Sequence, residues 1–304
     1  MEINSNNEWD PLRTVILGDA TNANWPVNCS DFRELEETTA WKETPVPAGP
    51  VSMQIIDEAN HDLQQFSALL TSLGVTVLRP SVLDFQSRDG MYNYCPRDRF
   101  LVVGDKVISA PMAFKCRYME EEAYPWFDDI AIKPDDPTVV FDAANVCRLG
   151  NDLLYLVSNS GNYAGAKWLQ RVLGSKYKVH IVDNIYSGVH IDSTVSPVRD
   201  GLVVLNAARV NIANLPEPLR AWDKIWVEDD QIVPQEFTGY PYASKWIGLN
   251  FLTVDPDTVV CDPKQVVLRD QLAKFNVVTH GIELRHSRTL GGGHHCVTLD
   301  VLRR

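Results

Sequence analysis

One unit recurs along this chain of 304 residues: a polar loop, two short apolar strands joined by a turn, a helix, and one more strand. The recurrence limits the fold, because a repeated supersecondary unit buries its apolar face against its neighbours rather than alone. It appears about five times and is clearest in the last three units. Val146-Cys147-Arg148 and Leu153–Leu156 flank the turn Gly150-Asn151-Asp152. A helix from about Asn162 to Leu173 follows, stopped by Gly174, and then the strand Lys178–Val182. The next hairpin opens at Val189–Thr194, turns at Arg199-Asp200-Gly201, and returns through Leu202–Leu205 to Arg209. A short helix capped by Asn214 leads to the strand Lys224–Val227. The fourth hairpin runs Leu249–Val254, Asp255-Pro256-Asp257, Thr258–Val260. Asp262 and Pro263 then form a helix start, and Leu268, Leu272 and Phe275 its buried stripe.

The chain reaches Arg304 with one apolar strand after Cys296 and nothing to pair with it. Its partner must come from the other end, at Thr14–Leu17, so the repeat closes on itself. This predicts an α/β fold of roughly cyclic form, a single domain over 1–304. The first unit carries the clearest helix. Ile56, Ala59, Leu63, Phe66, Leu70 and Leu73 recur at three- and four-residue steps and Gly74 ends them. A hairpin at Phe100–Val103 and Val107-Ile108 turns at Gly104-Asp105. Residues 19–53 and 111–137 read as irregular excursions, candidates for a lid.

Composition excludes several classes. With 45% hydrophobic and 22% charged residues the chain is globular. A net charge of −12 argues against a nucleic-acid phosphate partner. No apolar run is long enough to span a membrane, and the N-terminus resembles neither a signal nor a transit peptide, which predicts a cytoplasmic protein. The six cysteines are scattered without a C-x-x-C pair, so neither a disulfide framework nor a zinc site is expected.

Chemistry-bearing residues fall at equivalent places in the repeat. Asp98, Asp142, His190, Asp192 and Cys296 each stand at or near the start of a hairpin's first strand. Singly, each reads as a turn residue, a structural histidine or a buried thiol. In a cyclic arrangement those strand starts meet around one hollow, bringing carboxylates, an imidazole and a thiol together. Cys296 follows Gly291-Gly292-Gly293-His294-His295, where glycines permit close backbone approach and a strand fixes the far side. Such a place suits a nucleophile.

The motifs Pro96-Arg97-Asp98, Phe141-Asp142-Ala143-Ala144-Asn145, Val189-His190-Ile191-Asp192-Ser193-Thr194, Ser244-Lys245-Trp246 and Gly291–Cys296, in this order and spacing, resemble the arginine amidinotransferases of the guanidino-group-modifying superfamily. The resemblance covers nearly the whole chain. It implies a five-bladed α/β propeller (pentein) with pseudo-fivefold symmetry, no cofactor, no metal, and a homodimer. It implies Cys296 as nucleophile with His190 and Asp142 as catalytic partners, and Asp98 and Asp192 as guanidinium ligands. Arg209 would pair with the substrate carboxylate, and Ser244 would hydrogen-bond the substrate. Ala243 stands where the glycine-using branch carries another serine, and the loop Tyr186–Val189 departs from the vertebrate form beside the acceptor site.

The implied reaction moves the amidino group of L-arginine to glycine through an amidino-cysteine, giving guanidinoacetate and L-ornithine. The alternatives are another acceptor, such as an inosamine phosphate or a specialised-metabolite amine, or a deiminase-like hydrolase. A catalytically silent arginine-binding protein is the reading from a different class. The complete acid–base–nucleophile set argues against it.

Overall fold

A computed structural model describes residues 1–39 and 44–304. Among these residues five three-stranded sheets follow one plan: an antiparallel hairpin, with a third strand parallel to the hairpin's second. The hairpin of Phe100–Val103 and Lys106–Ser109 takes Ala131–Ile132 as its third strand. Val146–Leu149 and Asp152–Leu156 take Lys178–Val182. Val195–Arg199 and Leu202–Asn206 take Asp223–Val227. Leu252–Asp255 and Thr258–Cys261 take Val278–Gly281. The last sheet is built from both ends of the chain: Thr298–Arg303 pairs antiparallel with Leu12–Leu17, which pairs parallel with Thr76–Leu78. The expected terminal pairing is therefore present. It is a strand pair inside one sheet, and the five sheets remain separate ladders rather than one continuous ring.

The hairpin strands carry Val, Leu and Ile and are buried on both faces, as in Leu202–Asn206. Helices cover the sheets. In Met53–Ser72, the Oγ of Ser52 accepts the Ile55 N–H at 3.4 Å, and Gly74 takes φ +83 just beyond the end. Ile56, Leu63, Phe66 and Leu70 form its buried stripe, each contributing about 2 kcal/mol by removal from water. Tyr163–Leu173 is capped by Asn162, whose side chain accepts the Gly165 N–H at 2.9 Å.

Several expectations need correction. Residues 19–53 hold a helix, Ser30–Thr38, and a short strand pair, Asn24–Trp25 with Gly49–Pro50. Phe32 is fully buried there among aromatic rings, which anchors a segment whose Asn and Pro content reads as loop. Part of that stretch lies outside the described residues. The segment 111–137 contributes the 3₁₀ helix Lys115–Ala123 and the third strand Ala131–Ile132. Asn214 caps no α-helix; its amide ties the backbone at Asn184 and Arg209, and the nearby helical turn is Glu217–Leu219. Asp262 and Pro263 belong to a turn, and the helix starts at Val266. Residues 189–194 form a turn ahead of the strand Val195–Arg199. No helix among the described residues is long and apolar enough to cross a membrane.

Candidate active site

In every unit the loop before the hairpin's first strand faces one cavity of about 350 Å³. Asp98, Asp142, His190, Asp192, Ala243, Ser244 and Cys296 all line it, although nearly two hundred residues separate the first from the last.

Asp98 sits on the turn of helix Pro96–Arg99, where Pro96 occupies the first position. Its Oδ2 accepts from Arg117 Nη1 at 2.8 Å, and Arg117 is held in turn by both oxygens of Glu120 at 2.7 and 2.9 Å. Asp98 Oδ1 has no hydrogen-bond partner among the described residues. The neighbouring Arg97 turns inward instead, donating to the Thr298 carbonyl at 2.8 Å and to Asp300. Asp142 precedes the helical turn Ala143–Asn145, and its Oδ1 accepts the Ala113 N–H at 3.0 Å.

His190 stands between the two carboxylates. Its Nε2 is 2.9 Å from Asp142 Oδ2 and its Nδ1 is 3.5 Å from Asp98 Oδ1. Burial presses the imidazole toward neutrality, but the charges of Asp98 and Asp142 outweigh it and raise its pKa to about 9. Burial also raises Asp98, against the pull of His190 and Arg117.

Cys296 occupies a turn, and the strand begins only at Thr298. Asn250 Oδ1 accepts the backbone N–H of His295 and of Cys296, both at 3.0 Å. The glycines let this turn close. Gly291 takes φ +78. A Cβ on Gly292 would meet Cys95 Sγ at 2.5 Å, and one on Gly293 would meet Asn250 at 2.7 Å. The thiol points at Asp192, Sγ to Oδ2 3.3 Å. Burial, Asp192, Cys95 and Asp98 together hold the thiol well above its ordinary pKa. Burial would raise Asp192 too, but its bond to His295 brings it down to about 2. The two histidines before Cys296 diverge: His294 Nε2 bonds the Ile282 carbonyl at 2.8 Å, while His295 lies against Asp192.

Arg209 is set back from the cavity. It donates to Thr194 Oγ1 at 2.7 Å and Ser193 Oγ at 3.2 Å, and its guanidinium lies 3.6 Å from the centroid of the Tyr186 ring. Tyr186 itself lines the cavity with Ser187, Gly188 and Val189. Leu35, Glu36, Thr38 and Thr39, from the helix Ser30–Thr38 and its end, form another part of the wall.

Sequence reasoning missed Arg117, Glu120 and Asn250. Arg117 and Glu120 stand three apart on one helical face, a readable pairing signal, yet Glu120 looks like part of an exposed acidic run with Glu121 and Glu122. Asn250 carries no local signal, because its partners come from a distant turn.

A thiol, an imidazole and three carboxylates on one cavity form a set suited to covalent chemistry on a cationic group. Inosamine-phosphate amidinotransferase 1 of Streptomyces glaucescens is 42% identical over 338 aligned positions, spanning 99% of this chain and 97% of that protein. The mitochondrial glycine amidinotransferase of Xenopus tropicalis is 30% identical over 353, spanning 99% and 82%. The solved inosamine-phosphate amidinotransferase StrB1 of Streptomyces griseus superposes with a TM-score of 0.92 at 39% identity, covering 99% of this chain and 97% of that one. No family model matches the chain. The chain belongs to the amidinotransferase family.

Proposed function

We propose that the protein transfers the amidino group of L-arginine to an amine larger than glycine, of the inosamine-phosphate or specialised-metabolite class. One observation carries the chemistry: a thiol, an imidazole and three carboxylates, drawn from four separate loops, meet on one cavity. The choice of acceptor follows the relatives, since the inosamine-phosphate enzyme shares 42% and the glycine enzyme 30%. Ala243 in place of a second serine and the distinct Tyr186–Val189 loop support the same choice. The glycine acceptor becomes the second reading. In the same proposal the five sheets are five blades of one domain around the cavity, a pentein propeller.

The carboxylates of Asp98 and Asp192 bind the planar guanidinium by charge-assisted hydrogen bonds, with the unpartnered Asp98 Oδ1 as one acceptor. Arg209 takes the arginine carboxylate and Ser244 adds a hydrogen bond. In the empty site the surrounding carboxylates oppose a thiolate; the arriving cation reverses that field, so the substrate activates its own nucleophile. Cys296 Sγ attacks the guanidino carbon. The carbon–nitrogen bond to ornithine breaks as His190, protonated between Asp98 and Asp142, gives its proton to the departing nitrogen. The amidino-cysteine persists while ornithine leaves. The acceptor amine gives a proton to His190 as it attacks, and Sγ departs, a ping-pong cycle.

The test is a product assay with arginine and a panel of acceptors: none, glycine, and an amino-cyclitol phosphate. Turnover to ornithine only with the cyclitol amine supports the proposal. Guanidinoacetate formed with glycine would restore the second reading, and citrulline without any acceptor would make the protein a hydrolase.

A further inference from the structure

His295 contributes nothing to the cycle above, yet it is held between two carboxylates. Its Nδ1 is 2.9 Å from Asp192 Oδ2 and its Nε2 is 3.2 Å from Glu8 Oε2. An ionised carboxylate only accepts hydrogen bonds, so each ring nitrogen must carry a hydrogen and the ring must be an imidazolium. Both carboxylates are ionised. Glu8 accepts from Arg148 Nη2 at 2.6 Å, from Arg148 Nε at 2.9 Å and from the Arg148 backbone N–H at 3.1 Å. Asp192 accepts the Cys296 thiol through the same Oδ2 that faces His295.

We propose that His295 is a positioning residue for the nucleophile: a fixed imidazolium, held between Glu8 and Asp192, that offsets the Asp192 charge beside the Cys296 sulfur. The inference rests on Cys296 being the nucleophile. Asp192 must be anionic to bind a guanidinium, yet an uncompensated anion 3.3 Å from sulfur opposes the thiolate. A cation on the same oxygen, from a residue that does not line the cavity, relieves that conflict. Burial and Arg97 work against the cation; Asp192, Glu8 and the nearby Asp300 sustain it. Arg97 and Arg148 fix Glu8 from behind, so the clamp is anchored in the core rather than in a loop. His294, whose ring bonds the Ile282 carbonyl and packs against Phe66, has no such part.

The test compares the unmodified protein with His295→Asn, which keeps a donor toward Asp192 but carries no charge. Alkylation of Cys296 by iodoacetamide is followed against pH in arginine-free protein, by mass spectrometry of the Cys296 peptide. The variant should alkylate roughly tenfold more slowly near pH 8, a shift of about one unit in the apparent thiol pKa. kcat/KM should fall more than KM rises, with its acid limb moved to higher pH. A profile that superimposes on the unmodified protein's, in a variant of native circular dichroism, overturns the proposal. Ring-nitrogen NMR of ¹⁵N-histidine protein, assigned by difference from His295→Gln, supplies a measurement that needs no stable Asn variant. Both His295 nitrogens should stay protonated at pH 8, and a neutral ring there overturns the proposal. Neither readout requires amidino transfer. A shifted alkylation profile with no transfer product would therefore reject the functional reading alone, and an active enzyme with an unshifted profile would reject this one alone.

Discussion

Arg117 holds one oxygen of Asp98 at 2.8 Å, while the other has no hydrogen bond among the described residues and faces His190 Nδ1 at 3.5 Å. One side of the carboxylate is thus fixed from the protein interior while the other is left for a ligand. The same arginine is bound on its far side by Glu120, so Arg117 neutralises two buried anions at once. Replacing Arg117 by Met leaves both exposed to each other in a dry setting. The expected cost is about 3–5 kcal/mol, read as a large drop in the midpoint of urea unfolding. An unchanged midpoint would mean that the buried ion pairs carry no weight.

Cys296→Ala should remove turnover, by roughly 10⁴-fold or more, while calorimetry still detects arginine binding. The prediction separates chemistry from recognition, since the proposed guanidinium ligands Asp98 and Asp192 are untouched. Loss of binding together with turnover would point to a damaged fold.

His190 predicts a pH dependence of stability. Its folded pKa is raised to about 9, above an unfolded value of about 6.5, so the folded state binds its proton more tightly. The contribution is complete below about pH 6.5 and is lost as pH rises through about 9. It is on the order of 2 kcal/mol, allowing for the partly exposed ring. Unfolding midpoints of the unmodified protein should fall across that window, and those of His190→Asn should stay flatter. Equal slopes would remove His190 as the source. The same variant should lose about 10²–10⁴-fold in kcat through the missing proton carrier.

Gly293→Ala tests the packing of the nucleophile's turn. The new Cβ would press on Asn250, whose side chain fixes the backbone of His295 and Cys296. A stability loss of about 1–3 kcal/mol is expected. A fall of tenfold or more in kcat should accompany it, since an ångström of misplacement at sulfur is costly. Full activity would show that the turn can relax.

Arg209→Lys should raise KM for arginine by roughly tenfold with a smaller change in kcat, because ammonium replaces a planar fork stacked on Tyr186. A change confined to kcat would move Arg209 out of the binding role.

The repeat was legible because hairpin strands and their turns are local: Leu202–Leu205, Gly174 and the Ile56–Leu70 stripe all fell where apolar spacing placed them. Equivalent positions in that repeat also led to Asp98, Asp142, His190, Asp192 and Cys296, which do line one cavity. The helix Ser30–Thr38 is hidden because its burial depends on Phe114 and Tyr242 as well as Trp25, and the first two lie far outside any window around Phe32. Glu8 and Asn250 were hidden for the same reason. Each acts on a residue more than forty positions away, and a lone Glu or Asn looks the same whether it faces water or a backbone amide. Arg209 lies against the Tyr186 ring rather than on the cavity lining, a side-chain stacking that no spacing rule encodes.

The pairing of Leu12–Leu17 with Thr298–Arg303 has a consequence in time as well as in space. As the chain is synthesised, the first strand is made with one flank unsatisfied, and it stays so until the strand beside Cys296 emerges. That pairing joins strands more than 280 residues apart, and loop closure makes such contacts slow to form. A growing chain therefore carries the acids and the imidazole long before it has a seated sulfur. Of the side chains gathered on the cavity, the thiol is the last to be synthesised.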